Sequence, residues 1–595
     1  MKPTTEILAN MNRNSNKNKN EVFTRIYRYL LRPDLYYIAY QKLYANNGAA
    51  TKGIDDDTAD GFSEDKVNKI IESLRNDTYF PKPVRRTYRK KPNGKMRPLG
   101  IPTFTDKLVQ EVLRMILESI HEPIFLENSH GFRVGKSCHT ALKYLKSNFI
   151  GARWFIEGDI KGCFDNIDHS KLVEILNSKI KDARLIKLIW KFLKTGYMED
   201  WKFNATHSGT PQGGIISPIL ANIYLHELDK FVMQLADEFY KPKDKFYTTE
   251  YAVLSSRISR MNPKIEKAGG EDRIRLIAEK KNLQKQLRKI PCKSQTDKKI
   301  KYVRYADDFL IAVNGSKEDC EKIKQRLTEF ISGTLKMELS QEKTLITHSS
   351  ENARFLGYDV SVRRNGAVRK MGNKTSRTLN QKVELKIPLN DKIMKFLFSK
   401  NIVKQDKHGN VYPNVRKELL HCSDLETICA YNAEIRGICG YYSIACNFND
   451  LNYFTYMMEY SCLKTLAHKY KCSLPKVIKK FRDSSKKWGI PYETKQGKRK
   501  CYIAKLSDCR KVDKCIDEID KSALIYKSSR TLLEQRLAAQ KCELCGSTTA
   551  LQYEIHHIRK IKDLKGKEFW EQIMIAKRRK TMVLCKECHF KIHNK

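Results

Sequence analysis

Two adjacent acids, Asp307 and Asp308, lie between two apolar runs of β-branched and aromatic residues, 301–305 and 309–313. These runs predict the two strands of a β-hairpin with the acids at its tip. Two like charges side by side at a turn repel each other, so they need either full solvation or neutralising cations. Because the flanking strands are predicted to be buried, a cation site is favoured over a solvated turn.

A third acid, Asp159, ends another apolar stretch, 154–158, and the aromatic Phe164 follows five positions later. An acid at a strand end is usually a turn or capping residue. Its meaning here depends on whether the fold brings it beside Asp307 and Asp308. Three carboxylates at one edge of a sheet would form an oxygen-rich site for neutralising cations.

A basic hairpin is predicted around Asn93-Gly94, which is a strong signal for a tight turn between strands. Lys91 precedes the turn, and Lys95 and Arg97 follow it. Most basic hairpins are only solvated edges. Beside an acidic metal site, these cations would suit a triphosphate, which Arg97 can bind through two parallel hydrogen bonds.

A glycine-rich loop spans 209–214, and Ser217-Pro218 then supplies a start signal for a helix. A loop of this composition lets the backbone approach a ligand closely, and Gln212 within it is suited to contact a base or a sugar. Such loops are common before helices, so this signal is weak by itself.

The C-terminal region carries two Cys-x-x-Cys pairs, Cys542/Cys545 and Cys585/Cys588, with 39 residues between them. In a chain without other cysteine clusters, this spacing is a strong signal for a structural Zn²⁺ site. Four histidines lie between or just after the pairs: His556, His557, His589 and His593. The cysteines complete one tetrahedral site, so the histidines are either additional ligands in a binding module or serve another purpose.

The composition of the 595-residue chain narrows the functional classes. A formal charge of +45 indicates a polyanionic partner, either nucleic acid or an anionic membrane surface. No apolar run reaches the roughly 18 residues of a spanning helix, and the N-terminal residues Met1–Thr4 lack a secretory apolar core, so nucleic acid is favoured and no membrane role is expected. The 17 cysteines are mostly single, which is typical of reduced intracellular proteins.

The pattern along the chain predicts a multidomain α+β protein of about three to five domains. The Asn/Lys-rich residues 1–20 are expected to be loose. We divide the rest into an N-terminal helical extension (1–80), an α/β region (81–370) with a helical insertion (235–298), a helical domain (371–480), a basic, linker-like region that we expect to bind DNA (481–538), and a zinc-containing domain (539–595).

Taken together, these motifs resemble the multifunctional proteins encoded by group II introns, over nearly the whole chain. The resemblance is carried by an ordered set of motifs: Tyr305-Ala306-Asp307-Asp308, Asp159, His130-Gly131-Phe132-Arg133, Pro211-Gln212-Gly213-Gly214 and the helical segment Arg436–Tyr442. It implies a right-hand-like reverse transcriptase with fingers and an antiparallel β palm, an α-helical thumb or maturase domain, and a small ββα nuclease domain of the His-Asn-His (HNH) type.

The resemblance also implies residue roles in DNA synthesis. Two Mg²⁺ ions would be held by Asp159 and Asp307, with Asp308 nearby and the Ile160 carbonyl as a further ligand. The remaining family positions would contact the nucleotide: Lys95 and Arg97 at the triphosphate, Phe164 below the sugar, Gln212 in the pocket and Lys343 as general acid to pyrophosphate.

For the nuclease, the family pattern implies that His556, His589 and His593 bind Mg²⁺ or another divalent cation and that His557 is the general base. The middle Asn of the family name would align near Lys580, and no Asn stands there. The expected partners are the intron RNA, a DNA target site and deoxynucleoside triphosphates. We expect a bacterial cytoplasmic protein, with an organelle as the alternative, and leave a homodimer open.

Three rival functions are weighed against this one. A splicing-only maturase with an inactive polymerase or nuclease, and a DNA endonuclease with a vestigial polymerase, are both disfavoured by the intact set of three acids. A retron-type or diversity-generating reverse transcriptase is disfavoured by the helical maturase-like segment and by the two cysteine pairs.

Overall fold

The computed structural model describes residues 3–46, 48–90, 94, 96–199, 202–204, 209, 213–242, 247–290, 292, 297–364, 368–371, 374–377, 381–483, 487–494, 497–509 and 532–593. Lys95 and Gln212, two of the predicted nucleotide contacts, lie outside these residues. In the described part of the chain, every helix is too short or too polar to traverse a bilayer.

The structure is a multidomain α+β arrangement. Its helices are α1 (Thr4–Lys17), α2 (Pro33–Tyr44), α3 (Glu64–Arg75), α4 (Phe104–His121), α5 (Cys138–Asn148), α6 (His169–Asn177), α7 (Ala183–Leu193), α8 (Ser217–Phe239), α9 (Thr249–Lys267), α10 (Gly270–Leu287), α11 (Lys317–Gly333), α12 (Lys395–Ser399), α13 (Asp424–Tyr441), α14 (Leu451–Lys469), α15 (Leu474–Phe481), α16 (Leu506–Cys509), α17 (Leu532–Ala538), α18 (Phe569–Lys577) and α19 (Lys586–His593).

The strands are short and mostly antiparallel. They are β1 (Phe23–Thr24), β2 (Phe62–Ser63), β3 (Val84–Lys90), β4 (Met96–Ile101), β5 (Trp154–Asp159), β6 (Ile180–Lys181), β7 (Tyr197–Glu199), β8 (Lys202–Asn204), β9 (Lys299–Tyr305), β10 (Asp308–Asn314), β11 (Ile346–His348), β12 (Ala353–Phe355), β13 (Tyr358–Val362), β14 (Val368–Met371), β15 (Lys374–Arg377), β16 (Val383–Lys386), β17 (Val403–Gln405), β18 (Val411–Pro413), β19 (Gly489–Thr494), β20 (Gly497–Tyr502), β21 (Tyr553–His557) and β22 (Thr581–Cys585).

Four antiparallel strands in the order β11-β5-β10-β9 form what we call the central sheet. The hairpin predicted around the paired acids is the β9–β10 pair of this sheet. The register between β5 and β10 sets Asp308 directly opposite Asp159. The central sheet therefore brings together acids that are far apart in the sequence.

Both faces of the central sheet are covered, which explains why its strands are almost wholly apolar. Because side chains alternate along a strand, Phe309 and Ile311 of β10 lie in one hydrophobic core and Leu310 and Ala312 lie in the other. The first core includes α4 and α8, and the second includes α5, α13 and α14. This two-sided burial makes the central sheet a rigid base for its edge residues.

A buried ion pair lies directly beneath the hairpin. Arg304 of β9 and Asp229 of α8 are both 0% exposed, and they are joined by two hydrogen bonds, Nε–Oδ1 at 2.7 Å and Nη2–Oδ2 at 2.6 Å. Arg304 Nη1 also donates to the carbonyl of Ala306 at 2.9 Å. Ala306 has a left-handed backbone (φ +57°), so this contact holds the turn that leads into Asp307.

The expectation that residues 1–20 are loose is wrong, because α1 spans most of them. Leu8 and Met11 of α1 are buried in the first core, and Ser15 Oγ donates to the Ile120 carbonyl at the end of α4, at 2.6 Å. Tertiary packing of a few buried side chains therefore outweighs an Asn/Lys-rich composition.

Two further segments differ from expectation. Helix α8 continues to Phe239, so the insertion begins later than residue 235 and its described helices are α9 and α10. Part of the basic region 481–538 is also not a linker, because β19 and β20 form a hairpin beside α13. Asn432 of α13 fixes this region by donating to the Tyr502 carbonyl at 2.8 Å and accepting from the Ala504 amide at 2.7 Å.

The C-terminal region contacts the N-terminal part of the chain through a shared sheet. Strand β2 pairs with β21, which pairs with β22, and all pairings are antiparallel. Phe62 of β2 is fully buried and stacks on Tyr40 of α2, with ring centroids 4.0 Å apart. Strands β21 and β22 with α19 give the C-terminal region a ββα arrangement, and the N-terminal part adds the third strand.

Candidate functional sites

Three acids meet at one end of the central sheet. Asp159 is the last residue of β5, Asp307 lies in the hairpin turn and Asp308 begins β10. Asp308 pairs with Tyr305 across the turn and with Asp159 across the pairing of β5 with β10.

The electrostatics of this acid cluster favour a bound cation. The Asp308 side chain reaches solvent, yet desolvation in the cleft, followed by the charges of Asp307 and Asp159, raises the pKa of Asp308 to about 7. Desolvation and the charge of Asp159 also raise the pKa of Asp307, which Arg97 and Lys343 oppose. Carboxylates whose pKa values are raised in this way fit divalent metal ions, which relieve the repulsion.

Lys343 contacts the acid cluster directly. Its Nζ donates to Asp159 Oδ2 at 2.8 Å, and this hydrogen bond is the main cause of a raised pKa for Lys343. The side chain is 66% exposed, and the ion pair with Asp159 holds it in place. Its raised pKa keeps it protonated near neutral pH. The structure thus places the predicted general acid beside the predicted metal ligand.

The other predicted nucleotide contacts surround the same cleft where they are described. Arg97 is exposed on β4 and is close enough to lower the pKa of Asp307. Phe164 is half-buried and makes an edge contact with Phe132, with ring centroids 6.2 Å apart. Gly213, next to Gln212, has φ +111° and lies so close to β4 that a Cβ would be 2.5 Å from the Gly100 carbonyl.

The segment containing His130 and Gly131 supports the acidic turn from outside the sheet. The His130 amide donates to the Arg304 carbonyl at 2.9 Å, and a Cβ on Gly131 would lie 2.3 Å from the Ala306 nitrogen. Only glycine fits this approach. Asn222 of α8 donates to the Gly131 carbonyl at 2.8 Å, so α8 holds both the turn and its support.

The four predicted zinc ligands come together. The Sγ atoms of Cys542, Cys545, Cys585 and Cys588 lie within 4.8 Å of one another. Burial alone would raise the pKa of Cys542, but backbone amides, first that of Cys545, outweigh it and lower the pKa to about 7. Because thiolate is the ligand form, this environment fits a metal ion, and four cysteines in one group can bind Zn²⁺.

A second ligand group contains His556, His589, His593 and one residue that sequence reasoning missed, Asp60. Glu554 contacts His589 Nδ1 at 2.6 Å, which leaves Nε2 directed into the group. His556 is 3% exposed, and neither of its ring nitrogens makes a hydrogen bond of good geometry to a described residue. A buried ring nitrogen without a hydrogen bond, Nδ1, lies 3.3 Å from Asp60 Oδ1, which fits a cation shared by the two groups.

The predicted base, His557, lies next to this group but points to α2. Its Nε2 is 3.2 Å from the Tyr44 carbonyl, which can only accept, so Nε2 carries the proton and Nδ1 is the basic nitrogen. Burial, as the main cause, lowers the pKa of His557, so the imidazole is neutral at pH 7. Lys580, the position of the expected Asn, has its carbonyl 3.0 Å from the Ile558 amide and therefore lies beside His557.

Three parts of the chain match known families. Residues 88–252 and 280–360 match the reverse transcriptases (RNA-dependent DNA polymerases), and residues 380–521 match the type II intron maturases. Residues 542–589 match the AI2M/AI1M-like HNH endonucleases. The acid cluster lies in the first segment, and both C-terminal ligand groups draw on the third.

The similarity to single proteins extends over the full length. The chain is 58% identical over 591 residues to the group II intron-encoded protein LtrA of Lactococcus lactis subsp. cremoris, which covers 99% of each chain. It is a group II intron-encoded protein. Two further relatives are an uncharacterized 91 kDa protein in the cob intron of Schizosaccharomyces pombe (37% identical, 98% of this chain and 72% of that one) and a putative COX1/OXI3 intron 1 protein of Saccharomyces cerevisiae (32%, 99% and 70%).

This group II intron-encoded protein therefore combines a reverse transcriptase, a maturase and an HNH-type endonuclease in one chain. Reverse transcriptases and HNH nucleases use divalent metal ions, and the Cys₄ group can bind zinc. Its maturase and reverse transcriptase segments imply RNA and nucleotide partners.

Sequence reasoning missed two functional neighbours of these sites. Arg304 stands inside the predicted strand as one of 113 basic residues, and its partner Asp229 is on a distant helix. The one available signal was an arginine at a position that the strand pattern makes fully buried, because a buried guanidinium requires a paired acid. Asp60 gave no such signal, since it follows three other acids, Asp55, Asp56 and Asp57.

Proposed function

We propose that the central sheet is the palm of the reverse transcriptase and that Asp159 and Asp307 hold two Mg²⁺ ions there, with Asp308 nearby and the Ile160 carbonyl as a further ligand. The observation that carries this proposal is the register that sets Asp308 opposite Asp159. When bound, the two ions activate the primer 3′-hydroxyl and stabilise the departing pyrophosphate.

The residues around the acids would then bind and orient the incoming nucleotide. Arg97 on β4, with Lys95 in the same hairpin, grips the triphosphate, and Gln212 lines the pocket formed by the glycine-rich loop. Phe164 lies under the sugar, where its ring can exclude or admit a 2′-hydroxyl. Lys343 protonates pyrophosphate, and its raised pKa supports this by keeping the ammonium charged until the leaving group arrives.

The C-terminal domain would nick the DNA target to supply a primer. His556, His589 and His593 bind Mg²⁺ or another divalent cation, and His557 accepts a proton from water through Nδ1. A neutral imidazole with one nitrogen donating to a backbone carbonyl is suited to this role. The Cys₄ group binds a structural Zn²⁺ that holds β22 and α19 to the loop at Cys542 and Cys545.

The nuclease assignment makes a prediction about His557. His557→Ala removes the proposed base and should lower DNA nicking by about 10²- to 10⁴-fold, the usual contribution of a positioned general base. The domain should keep its fold, because the cysteines and the three cation ligands remain. Nicking of a labelled target duplex, with zinc content measured on the same preparation, checks both expectations.

Cys542→Ser is the matched control for that prediction. It should reduce zinc content and unfold the C-terminal domain, as should a strong chelator, while cDNA synthesis continues. Nicking retained by the His557 variant would refute its assignment as base, and a folded, zinc-free Cys542 variant would refute the structural role of zinc.

The proposal extends to the other parts of the chain. The helices α13 and α14 would form the thumb, or maturase domain (371–480), and 1–80 would extend the fingers within 81–370. The basic region 481–538 would contact the DNA target, which the exposed Lys498 and Lys500 of β20 support. The proposed setting is the bacterial cytoplasm.

RNA recognition by the maturase should show both high salt sensitivity and specificity. A protein with a charge of +45 releases many counterions when it neutralises phosphates, so affinity should fall steeply with salt for any RNA. Recognition of intron shape should remain when this general attraction is screened. We expect the intron RNA to outcompete an unrelated structured RNA of equal length by at least about tenfold at physiological salt.

Filter-binding competition at several salt concentrations measures this difference. The unrelated RNA and a single-stranded RNA of equal charge are the matched competitors. Equal competition by all three at physiological salt would contradict a specific maturase surface.

A further inference from the structure

The segment between α2 and β2 reaches across to the nuclease ligands. Asp60 Oδ1 is 3.3 Å from His556 Nδ1 and 3.3 Å from His589 Nε2, and Oδ2 is 2.7 Å from His593 Nε2. The His557 amide also donates to Asp60 Oδ1 at 2.6 Å. One carboxylate from the N-terminal part of the chain therefore contacts every histidine assigned to the nuclease.

Three of the four separations among the ligand atoms match a shared ion, and the fourth, 2.7 Å between Asp60 Oδ2 and His593 Nε2, is a direct hydrogen-bond distance. With metal–ligand bonds of about 2.0–2.2 Å, two ligands of one tetrahedral ion lie about 3.3–3.6 Å apart. Three separations in the group are 3.3 Å: Asp60 to His556, Asp60 to His589, and His589 to His593. His556 Nδ1, which faces Asp60 and makes no hydrogen bond of good geometry to a described residue, supports the same position.

Backbone pairing fixes Asp60 in this place. The Gly61 amide donates to the Ile555 carbonyl at 3.0 Å, and β2 continues the pairing with β21. Tyr44, at the end of α2, covers His557 from the same side. The N-terminal part of the chain thus contacts both the cation ligands and the base.

We propose that Asp60 is a fourth ligand of the nuclease cation. One ion then joins the C-terminal domain to the N-terminal part of the chain. While Asp60 is bound, four protein ligands fill the coordination positions of the ion. This inference rests on the histidine assignment made above. A site with four protein ligands is typical of structural ions, whereas a catalytic ion keeps a position for its substrate. A scissile phosphate must therefore displace Asp60.

Three imidazoles with one carboxylate suit Zn²⁺, Co²⁺ or Ni²⁺ better than Mg²⁺, so Co²⁺ is the probe of choice. The test uses the full chain with its cysteine site filled by Zn²⁺ and with Asp307→Asn and Asp308→Asn, which silence the polymerase acids. In this background, Asp60→Ala should weaken Co²⁺ binding by about 10- to 100-fold. The conservative Asp60→Asn keeps the side chain's size and should weaken binding in the same direction.

Asp56→Ala is the matched control, because Asp56 lies in the same segment, is 91% exposed and pairs only with Lys52 among the described residues. It should leave Co²⁺ affinity unchanged. Amide hydrogen exchange gives a second readout: Co²⁺ should slow exchange at residues 61–63 in the parent and not in the Asp60 variants. Unchanged affinity in both Asp60 variants would overturn the proposal.

A DNA nicking assay on the chain with its native polymerase acids distinguishes failure of this inference from failure of the nuclease assignment. At saturating cation, Asp60→Ala should nick DNA at least as fast as the parent, because the position that the phosphate needs is open. Slower nicking at saturating cation would overturn the closed-site part of the proposal. If neither form nicks DNA while Co²⁺ affinity still falls, the ligand set stands and the nuclease assignment fails.

Discussion

Replacing Asp307 and Asp308 together by alanine is expected to abolish cDNA synthesis. These residues stand at the tip of the central hairpin, with Asp308 opposite Asp159, and no other described carboxylates share that position. Loss of their ligands removes about 4 kcal/mol or more of transition-state stabilisation, which is about a thousandfold in rate. Primer extension on an RNA template with labelled deoxynucleotides measures the loss.

Two variants test whether this loss is specific. Glu338→Gln changes an exposed acid whose partner is Lys161, next to the cleft, and should leave extension within about twofold because exposed pairs contribute little. Asp308→Asn alone tests the smaller change of one ligand. Primer extension by the double alanine variant at more than a few per cent of the parent rate would contradict the assignment of these acids.

The second large effect is expected at the buried pair below the hairpin. Arg304→Met leaves Asp229 buried and charged without its partner, which typically costs about 3–5 kcal/mol. Arg304 also holds the Ala306 carbonyl and Ser129 Oγ, so the turn that carries the acids should loosen. Because a multidomain chain does not unfold in one step, hydrogen exchange over residues 299–314 is the suitable measurement.

Three comparisons sharpen the Arg304 prediction. Arg304→Lys retains the charge without the two-pronged geometry and should be intermediate. Arg304→Met with Asp229→Leu removes both charges and should recover most of the lost protection. Glu279→Gln breaks an exposed pair with Arg257 and should cost less than about 1 kcal/mol. If Arg304→Met exchanges like Glu279→Gln, the pair does not support the hairpin.

The parts of the structure that the sequence predicted well are those set by local pattern. Asp307 and Asp308 lie between apolar runs, which predict a hairpin from residues that are close in the sequence. The cysteine pairs have the spacing of a metal site. Local pattern does not link Asp159 to these two acids. The resemblance to a family predicts that link, and the register of β5 with β10 explains it.

The missed features depend on contacts between distant segments. Asp60 meets the histidines because β2 joins β21 and Phe62 stacks on Tyr40, and no spacing rule links one end of the chain to the other. The composition of residues 1–20 does not reveal helix α1, because the stability of this helix comes from Leu8 and Met11 in a shared core. The composition of the basic segment before the zinc domain indicates a linker, because the hydrogen bonds of Asn432 that order part of this segment leave no periodic pattern.

Polymerase and maturase activities are expected at separate sites of one chain, and splicing by a polymerase-dead variant tests this most directly. The variant with Asp307→Ala and Asp308→Ala should promote splicing of the intron RNA at the parent rate, within about twofold, in a time course that follows excised intron while cDNA synthesis is absent. Both acids lie on the central sheet, whereas the maturase match covers residues 380–521. Loss of splicing together with cDNA synthesis, in a variant that still folds and binds RNA, would contradict separate sites for the polymerase and the maturase.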